Sequence, residues 1–404
     1  MGLLAPLIIL RLGGGVIYVG VATFLYYLAS TLGSMFWGWV ADVVPRRRPF
    51  LVAGAALISA APIGMGVSGS VLGVMAWYSV GAFAYALLVV YLNLLAVESL
   101  DRGLWNDAAR RGFVYLMTGS LVGTALGLAS VMRYSLLGYA AISTAVGAAG
   151  AIPLLASVKE PPVILERRAL LVSPSVFVSR LASLPMIFLS FPKLFDIAML
   201  RKRIRRMPGS ELTILTIVNA LFSLSAQLFF TVYIPYESSA GLDEAQILLS
   251  FLYMSAINVL AALLMADELR RPSYLLASRG MGLRALGMLL TASFAAFATG
   301  VDALYASLLS FTFIGFAYTM ITVTMNALLY ASLVPGTRGR SLGAYSTIGS
   351  LSFMAGALLS GILARYAGYQ LVFLLAAAVL MAAAAAMEVY YRGSGSTLDS
   401  INIY

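Results

Sequence analysis

Long apolar runs dominate the chain, separated by short polar turns. They cover Val16–Trp39, Phe50–Val67, Val71–Val97, Gly112–Met132 and Ser135–Val158. After a polar-punctuated stretch come Leu212–Tyr236, Ala245–Ala266, Leu283–Gly300, Ala303–Val334, Leu342–Ala364 and Tyr369–Val389. A helix needs about 20 apolar residues to cross roughly 30 Å of hydrocarbon. The pattern therefore predicts eleven spanning helices. Strands of a membrane barrel would instead be about 10 residues long with period-two alternation. A further apolar run, Met1–Leu10, is half a span, since ten residues rise about 15 Å as a helix.

The segment Lys159–Glu211 is ambiguous. Its stretch VFVSRLASLPMIFLSFPKLFDIAML is apolar, yet Arg180, Pro185, Pro192, Lys193 and Asp196 interrupt it. Reading it as a span would reverse the side on which every later loop lies. It is expected instead to form amphipathic interfacial helices on the inner leaflet, ending in the basic run RKRIRR. The domain reading is then an N-terminal bundle over 1–158, a cytoplasmic linker over 159–211, a C-terminal bundle over 212–392 and a short tail over 393–404.

Charge fixes the expected orientation. Only 10% of the residues are charged against 61% hydrophobic, and the formal net charge is +10. Lys and Arg accumulate in cytoplasmic loops. With the turn PRRRP (Pro45 to Pro49) placed inside, 23 of the 26 basic residues fall inside, and only Arg11, Arg133 and Arg365 fall outside. The basicity is thus an insertion signal spread over several loops, which removes a nucleic-acid partner. The chain has no Cys and no His, so disulfides, thiolate metal sites and the commonest general base are excluded. No phosphate loop of the GxxxxGK[ST] type occurs. An integral-membrane enzyme finds no paired intramembrane carboxylates for acid–base work, and no cofactor or metal site is expected.

The two halves resemble each other. RRGFVYLMTGSLVG contains Arg110, Tyr115, Gly119, Ser120 and Leu121; RSLGAYSTIGSLSF repeats them as Arg340, Tyr345, Gly349, Ser350 and Leu351. ADVVPRRRP is echoed by ADELRRP, with Asp42 matched by Asp267. The offsets are 230 and 225 positions, in the same order within each half. Parallel repeats of this kind are a known transporter plan. On these motifs the chain resembles the major facilitator superfamily of secondary transporters, whose signature after helix two runs Gly-x-x-x-Asp-Arg/Lys-x-Gly-Arg/Lys-Arg/Lys. Gly38, Asp42, Arg46 and Arg47 match it, while Val43 and Pro45 depart from it. The stretch from Gly339 to Ala378 is also similar to the family's last two helices. The resemblance implies an all-α polytopic membrane protein of two pseudo-symmetric six-helix bundles, its first helix truncated here.

By that resemblance, Asp42 lies near the cytoplasmic start of the eleventh helix, expected around Arg340–Leu342, and helps close the inward side. An acid at a helix N-terminus gains about 0.3–1 kcal/mol. Arg46 and Arg47 can bridge to acids such as Glu98 or Asp101, and Asp267, Arg270 and Arg271 form the equivalent turn. The plainer reading is a tight positive-inside loop, which explains the arginines but not the acid or its echo.

The family's cavity is lined by the plan's helices one, four, seven and ten. The fourth offers Tyr78, Tyr85 and Asn93. On the seventh, Thr216, Asn219, Ser223 and Gln227 share a face; on the tenth, Thr312, Gly315, Thr319, Thr322 and Asn326 do so. Ser, Thr and Asn are also common interhelical glue, and both readings stay open for each. No Asp, Glu, Lys or Arg falls in the middle of any predicted span; Glu98, Arg133, Asp302 and Glu388 lie at ends. That absence favours a neutral or amphipathic solute and weakens proton coupling.

LLAPLIILRLGGG reads as the second half of a first helix, so a start roughly 15–30 residues upstream is expected from the spanning length. Gly119, Gly123 and Gly127 are spaced for close helix packing. They depart from the family's antiporter signature, with Thr124 where Pro is usual and Leu128 where Gly is usual. The resulting expectation is a monomeric, multi-pass cell-membrane protein with both termini cytoplasmic, moving a small organic solute by alternating access, with efflux preferred. The competing class is a non-transporting membrane sensor or scaffold, which would need a signalling domain longer than the tail GSGSTLDSINIY.

Overall fold

The computed structural model describes residues 1–43, 48–99, 105–157, 210–265, 273–333 and 338–393. Residues 159–209 of the predicted linker, 394–404 of the tail and the turn residues Arg46, Arg47, Asp267, Arg270 and Arg271 lie outside the described residues, and the last two linker positions, Ser210 and Glu211, begin the seventh helix. Every described element is a helix, as lipid demands, because a helix satisfies its own backbone hydrogen bonds. The helices are α1 (Leu4–Arg11), α2 (Val16–Val43), α3 (Arg48–Val67), α4 (Val71–Ser99), α5 (Trp105–Arg133) and α6 (Leu136–Ser157), then α7 (Ser210–Ser239), α8 (Glu244–Leu264), α9 (Tyr274–Phe294), α10 (Gly300–Ala331) and α11 (Arg338–Gly393).

Local chemistry sets several boundaries. Asp243 caps α8 in a capping box, its carboxylate accepting from the Gln246 amide at 2.7 Å while the Gln246 side chain accepts from the Asp243 amide at 3.0 Å. Gly368 breaks α11 at φ 84° and ψ 160°, a conformation open to glycine. α11 is therefore two arms meeting at a turn, as the two separate predicted spans require. Eight of the described helices are long and apolar enough to cross a membrane.

One predicted boundary is wrong by nine residues. The expected span Leu283–Gly300 is α9, which starts at Tyr274 behind an N-cap: the Ser273 hydroxyl accepts from the Leu276 amide at 3.1 Å. Arg279 and Arg284, assigned to an inner loop from the sequence, lie within this helix. Their charge depressed the apolar signal and pushed the predicted start past Arg279, to the residue before Arg284. The repeat locates the start better. Adding the 225-position offset to the first residue of α3, Arg48, gives position 273, one residue before α9 begins.

Helix contacts follow the twofold logic of the repeat. Within the first half α2 packs on α4, and α3 on α4 and α6; within the second, α8 packs on α10, and α9 on α10 and α11. Across the halves, α2 packs against α11 and α5 against α8. Each cross-contact is the image of the other when the halves are exchanged.

The α2–α11 contact depends on glycine. A Cβ on Gly20 would lie 2.9 Å from the Ala357 carbonyl oxygen and 3.1 Å from the Gly361 Cα. These two glycines let the backbones touch, which is how small residues hold membrane helices together. The glycines of α5 behave differently. Gly127 abuts Tyr139 of α6, but a Cβ on Gly119 or Gly123 would meet nothing within 4 Å. Close packing expected of all three is thus found at one. At the repeat-equivalent of Gly119, Gly349, a Cβ would lie 2.7 Å from the Asn219 amide nitrogen of α7. Gly20→Val should lower the melting temperature of the purified protein in detergent, by about 1–3 kcal/mol of overpacking. Gly119→Val should leave it nearly unchanged, a contrast that differential scanning fluorimetry reads directly.

Candidate functional site

The halves meet in the middle of α2. Tyr27 stacks on Phe353 of the first arm of α11, with centroids 5.0 Å apart and planes 9° from parallel. Its hydroxyl takes a hydrogen bond from the Gln227 amide of α7 at 2.5 Å. The other end of that amide is held by Thr231, whose hydroxyl donates to the Gln227 carbonyl oxygen at 3.0 Å. Next to this bridge Tyr26 packs on Tyr78 of α4 at 4.5 Å. Tyr318 of α10 lies within electrostatic range of Tyr27, Tyr85 and Arg284. Helices from both halves thus bring five phenols and an amide to one place: an apolar wall with polar tips, suited to a solute carrying both characters.

Toward the Arg11 end the halves are joined again. Gly20 and Gly361 touch, and Arg11 approaches Glu244 of α8 at 3.9 Å. That exposed pair contributes little energy; the backbone contact is the closure.

The structure sorts the sequence-predicted cavity residues. Gln227 lies at the bridge, Tyr78 is buried against Tyr26, and Tyr85 is 38% exposed. Asn219 reaches the Tyr345 carbonyl at 3.5 Å, and Ser223 is buried beside Gly349. Thr216 bonds back to the Leu212 carbonyl at 2.7 Å. Thr319 donates to the Asn258 carbonyl of α8 at 3.0 Å and is fully buried, so in this arrangement it joins α10 to α8. Thr322 is half-buried and Asn326 exposed. Asn93 lies on α4 and Asp42 in the last turn of α2, with side chains outside the described set; Gly38 is half-buried. A groove of about 560 Å³ between α9 and the second arm of α11, lined by Arg279, Glu388 and Arg392, lies away from the junction.

Two buried charges were missed. Arg284 is the eleventh residue of the 21-residue α9 and only 1% exposed, so the expectation that no charge lies mid-span is overturned. Its guanidinium carbon sits 5.0 Å from the ring centre of Phe222, 5.3 Å from Phe230 and 5.6 Å from Tyr318. Nε and Nη1 find no acceptor, and no described carboxylate pairs with it. A cation at the helix centre costs about 2.5–3.5 kcal/mol on insertion scales. Cation–π contacts return about 0.5–2 kcal/mol each, but each unsatisfied donor costs about 1–3 kcal/mol. The rings hold the charge without satisfying the N–H groups of Nε and Nη1.

Glu237 lies one residue past the predicted span, in the last turns of α7, and is fully buried. Ser250 of α8 donates to its Oε2 at 3.2 Å, and the Ser307 hydroxyl of α10 also lies against the carboxylate. The hydroxyl of Tyr233 lies beside the same group, facing Ser307 and Thr291. The sequence signals for both residues were the Ser273 cap and the repeat offset for Arg284, and the run of α7 through Pro235 to Ser239 for Glu237.

The sequence matches the Major Facilitator Superfamily over residues 1–352. The chain therefore belongs to this transporter family; it is a multi-pass membrane protein and not an enzyme. Among solved structures it is similar to a POT family transporter in complex with 5-aminolevulinic acid, with a TM-score of 0.68 and 16% identity, covering 97% of this chain and 93% of that one. It is also similar to a peptide transporter POT in complex with alafosfalin, with a TM-score of 0.67, 15% identity and coverage of 97% and 91%. For the nucleoside transporter NupG the TM-score is 0.64 at 14% identity, with coverage of 97% and 95%. At these identities the likeness is one of fold. Comparison with curated protein sequences finds no match.

If Tyr27 and Gln227 join the halves, their truncations should be coupled. A double-mutant cycle of Tyr27→Phe and Gln227→Leu, read by thermal stability in detergent, should give a coupling energy of about 0.5–1.5 kcal/mol. Additive effects would mean the bond carries nothing.

Proposed function

We infer that this protein moves a small amphipathic organic solute across the membrane by alternating access, the two halves rocking about the junction at Tyr27 and Gln227. The observation that carries this reading is the junction itself. A polar–aromatic surface is drawn from α2, α4, α7 and α10, and the two halves are sealed beside it by glycine contact at the Arg11 end. Arg284 removes the ground for preferring a neutral solute, and with it the ground for preferring export.

The inner mouth is assigned to the acid-and-arginine turns. Gly38, Asp42, Arg46 and Arg47 in the first half, and Asp267, Arg270 and Arg271 in the second, would close it through charge–dipole and ion-pair contacts. These are strong enough in sum to bias one state without trapping it. Asp42→Asn should change transport rate while leaving insertion and melting temperature intact; an unaltered rate would remove the gate.

Transport itself is tested by a substrate screen on protein reconstituted in liposomes, with and without an imposed proton gradient. The reading requires accumulation or equilibration of at least one solute class above empty liposomes. Glu237 supplies the titratable group that the predicted spans lacked. If movement follows the gradient, Glu237→Gln should abolish the gradient dependence while leaving gradient-free exchange in place.

A further inference from the structure

Arg284 is costly where it is, and its surroundings show which way that cost is resolved. Phe222, Ala226 and Phe230 recur at steps of four along α7 and form the stripe over which the guanidinium lies. Gln227, one residue from Ala226 on the same turn, faces the junction and bonds Tyr27. Tyr318 closes the remaining side, and it is also in electrostatic range of Tyr27 and Tyr85. One phenol therefore separates the buried cation from the polar tips at the meeting of the halves. All three rings of the box are only half-buried, while the arginine they surround is 1% exposed. Two of the guanidinium's nitrogens are unpartnered inside it.

A structural role would be expected to satisfy those donors. A buried arginine that serves only to hold helices together is normally paired with a carboxylate or with backbone carbonyls, and here Nε and Nη1 have neither. Aromatic faces are weak, exchangeable partners for a cation. A carboxylate is its best partner, because the planar fork takes two oxygens at once.

We propose that Arg284 selects a carboxylate on the transported solute: the Phe222–Phe230–Tyr318 box shelters the guanidinium until an anionic head, entering beside Tyr27 and Gln227, displaces Tyr318 and becomes its partner. The solute class is a small organic monocarboxylate with an apolar body, which the tyrosines at the junction would cover. A phosphate dianion fits less well, since among the described residues no second Lys or Arg joins Arg284 in the box. The proposal rests on the transport reading for its biological meaning, but it is a statement about binding and can be tested as one.

The probes are 3-phenylpropionate and its primary amide, with hexanoate and hexanamide as a second pair, titrated into the purified full chain in neutral detergent. Thermal shift and intrinsic tryptophan fluorescence are the readouts. The wild type should bind each carboxylate at least about tenfold more tightly than its amide. Arg284→Gln should lose that preference, and Arg284→Lys should keep part of it. If Arg284→Gln does not fold, Phe230→Leu decides: removing one ring takes away a competing partner, so carboxylate affinity should rise while amide affinity stays constant. Neither carboxylate preferred over its amide, the preference surviving in Arg284→Gln, or no gain in Phe230→Leu would each overturn the proposal. Liposome flux separates this failure from that of the transport reading. Amides crossing without any carboxylate preference would sink the role of Arg284 alone. Carboxylates bound in detergent with no flux of any solute would sink transport alone.

Discussion

The close approach of α2 and the first arm of α11 is the contact on which the rest of the arrangement depends. Gly20 and Gly361 bring two backbones together where any side chain would hold them apart. From that fixed point α2 runs inward to Tyr27, which stacks on α11 and bonds α7. Had the two helices been spaced by ordinary side chains, Tyr27 and Gln227 would not be within hydrogen-bond reach. The location of the polar–aromatic junction is thus a consequence of two missing Cβ atoms about two turns away.

Hydrogen-bond satisfaction separates structural polar residues from the rest. Thr216 and Thr319 spend their hydroxyls on carbonyls, within α7 and across to α8, and are inert in the low-dielectric interior. Gln227 is held at both ends of its amide and is therefore precisely oriented toward the other half. Arg284 and Glu237 are the contrast: both are buried, Arg284 keeps Nε and Nη1 without partners, and Glu237 has hydroxyls but no cation to pair with among the described residues. In a medium that penalises unpaired charge so heavily, groups left in that condition are the natural places to look for function.

The halves are alike in sequence but not in surroundings. Gly349 is packed against Asn219, while its repeat-equivalent Gly119 faces open space. The difference lies in the neighbours: α7 brings Asn219 and Ser223 against Gly349 of α11.

Much of this molecule is readable from residue order, because bilayer thickness and backbone hydrogen bonding leave few ways to arrange apolar runs of spanning length. The number of helices, the break at Gly368, the internal repeat and the family follow from run lengths and motif spacing. Periodicity also puts Tyr78 and Tyr85 on one face of α4, and Gln227 with Asn219 and Ser223 on one face of α7. The start of α9 does not follow, because hydropathy treats an arginine as a boundary and cannot register a cation stacked on three rings. Pairing was equally hidden: nothing in the order of residues says that Thr319 meets Asn258, that Tyr27 meets Gln227, that Glu237 meets Ser250, or that Arg284 is met by rings. Periodicity ranks the faces of a single helix, but which neighbour each face meets is set by packing between segments hundreds of residues apart, and only the folded bundle decides it.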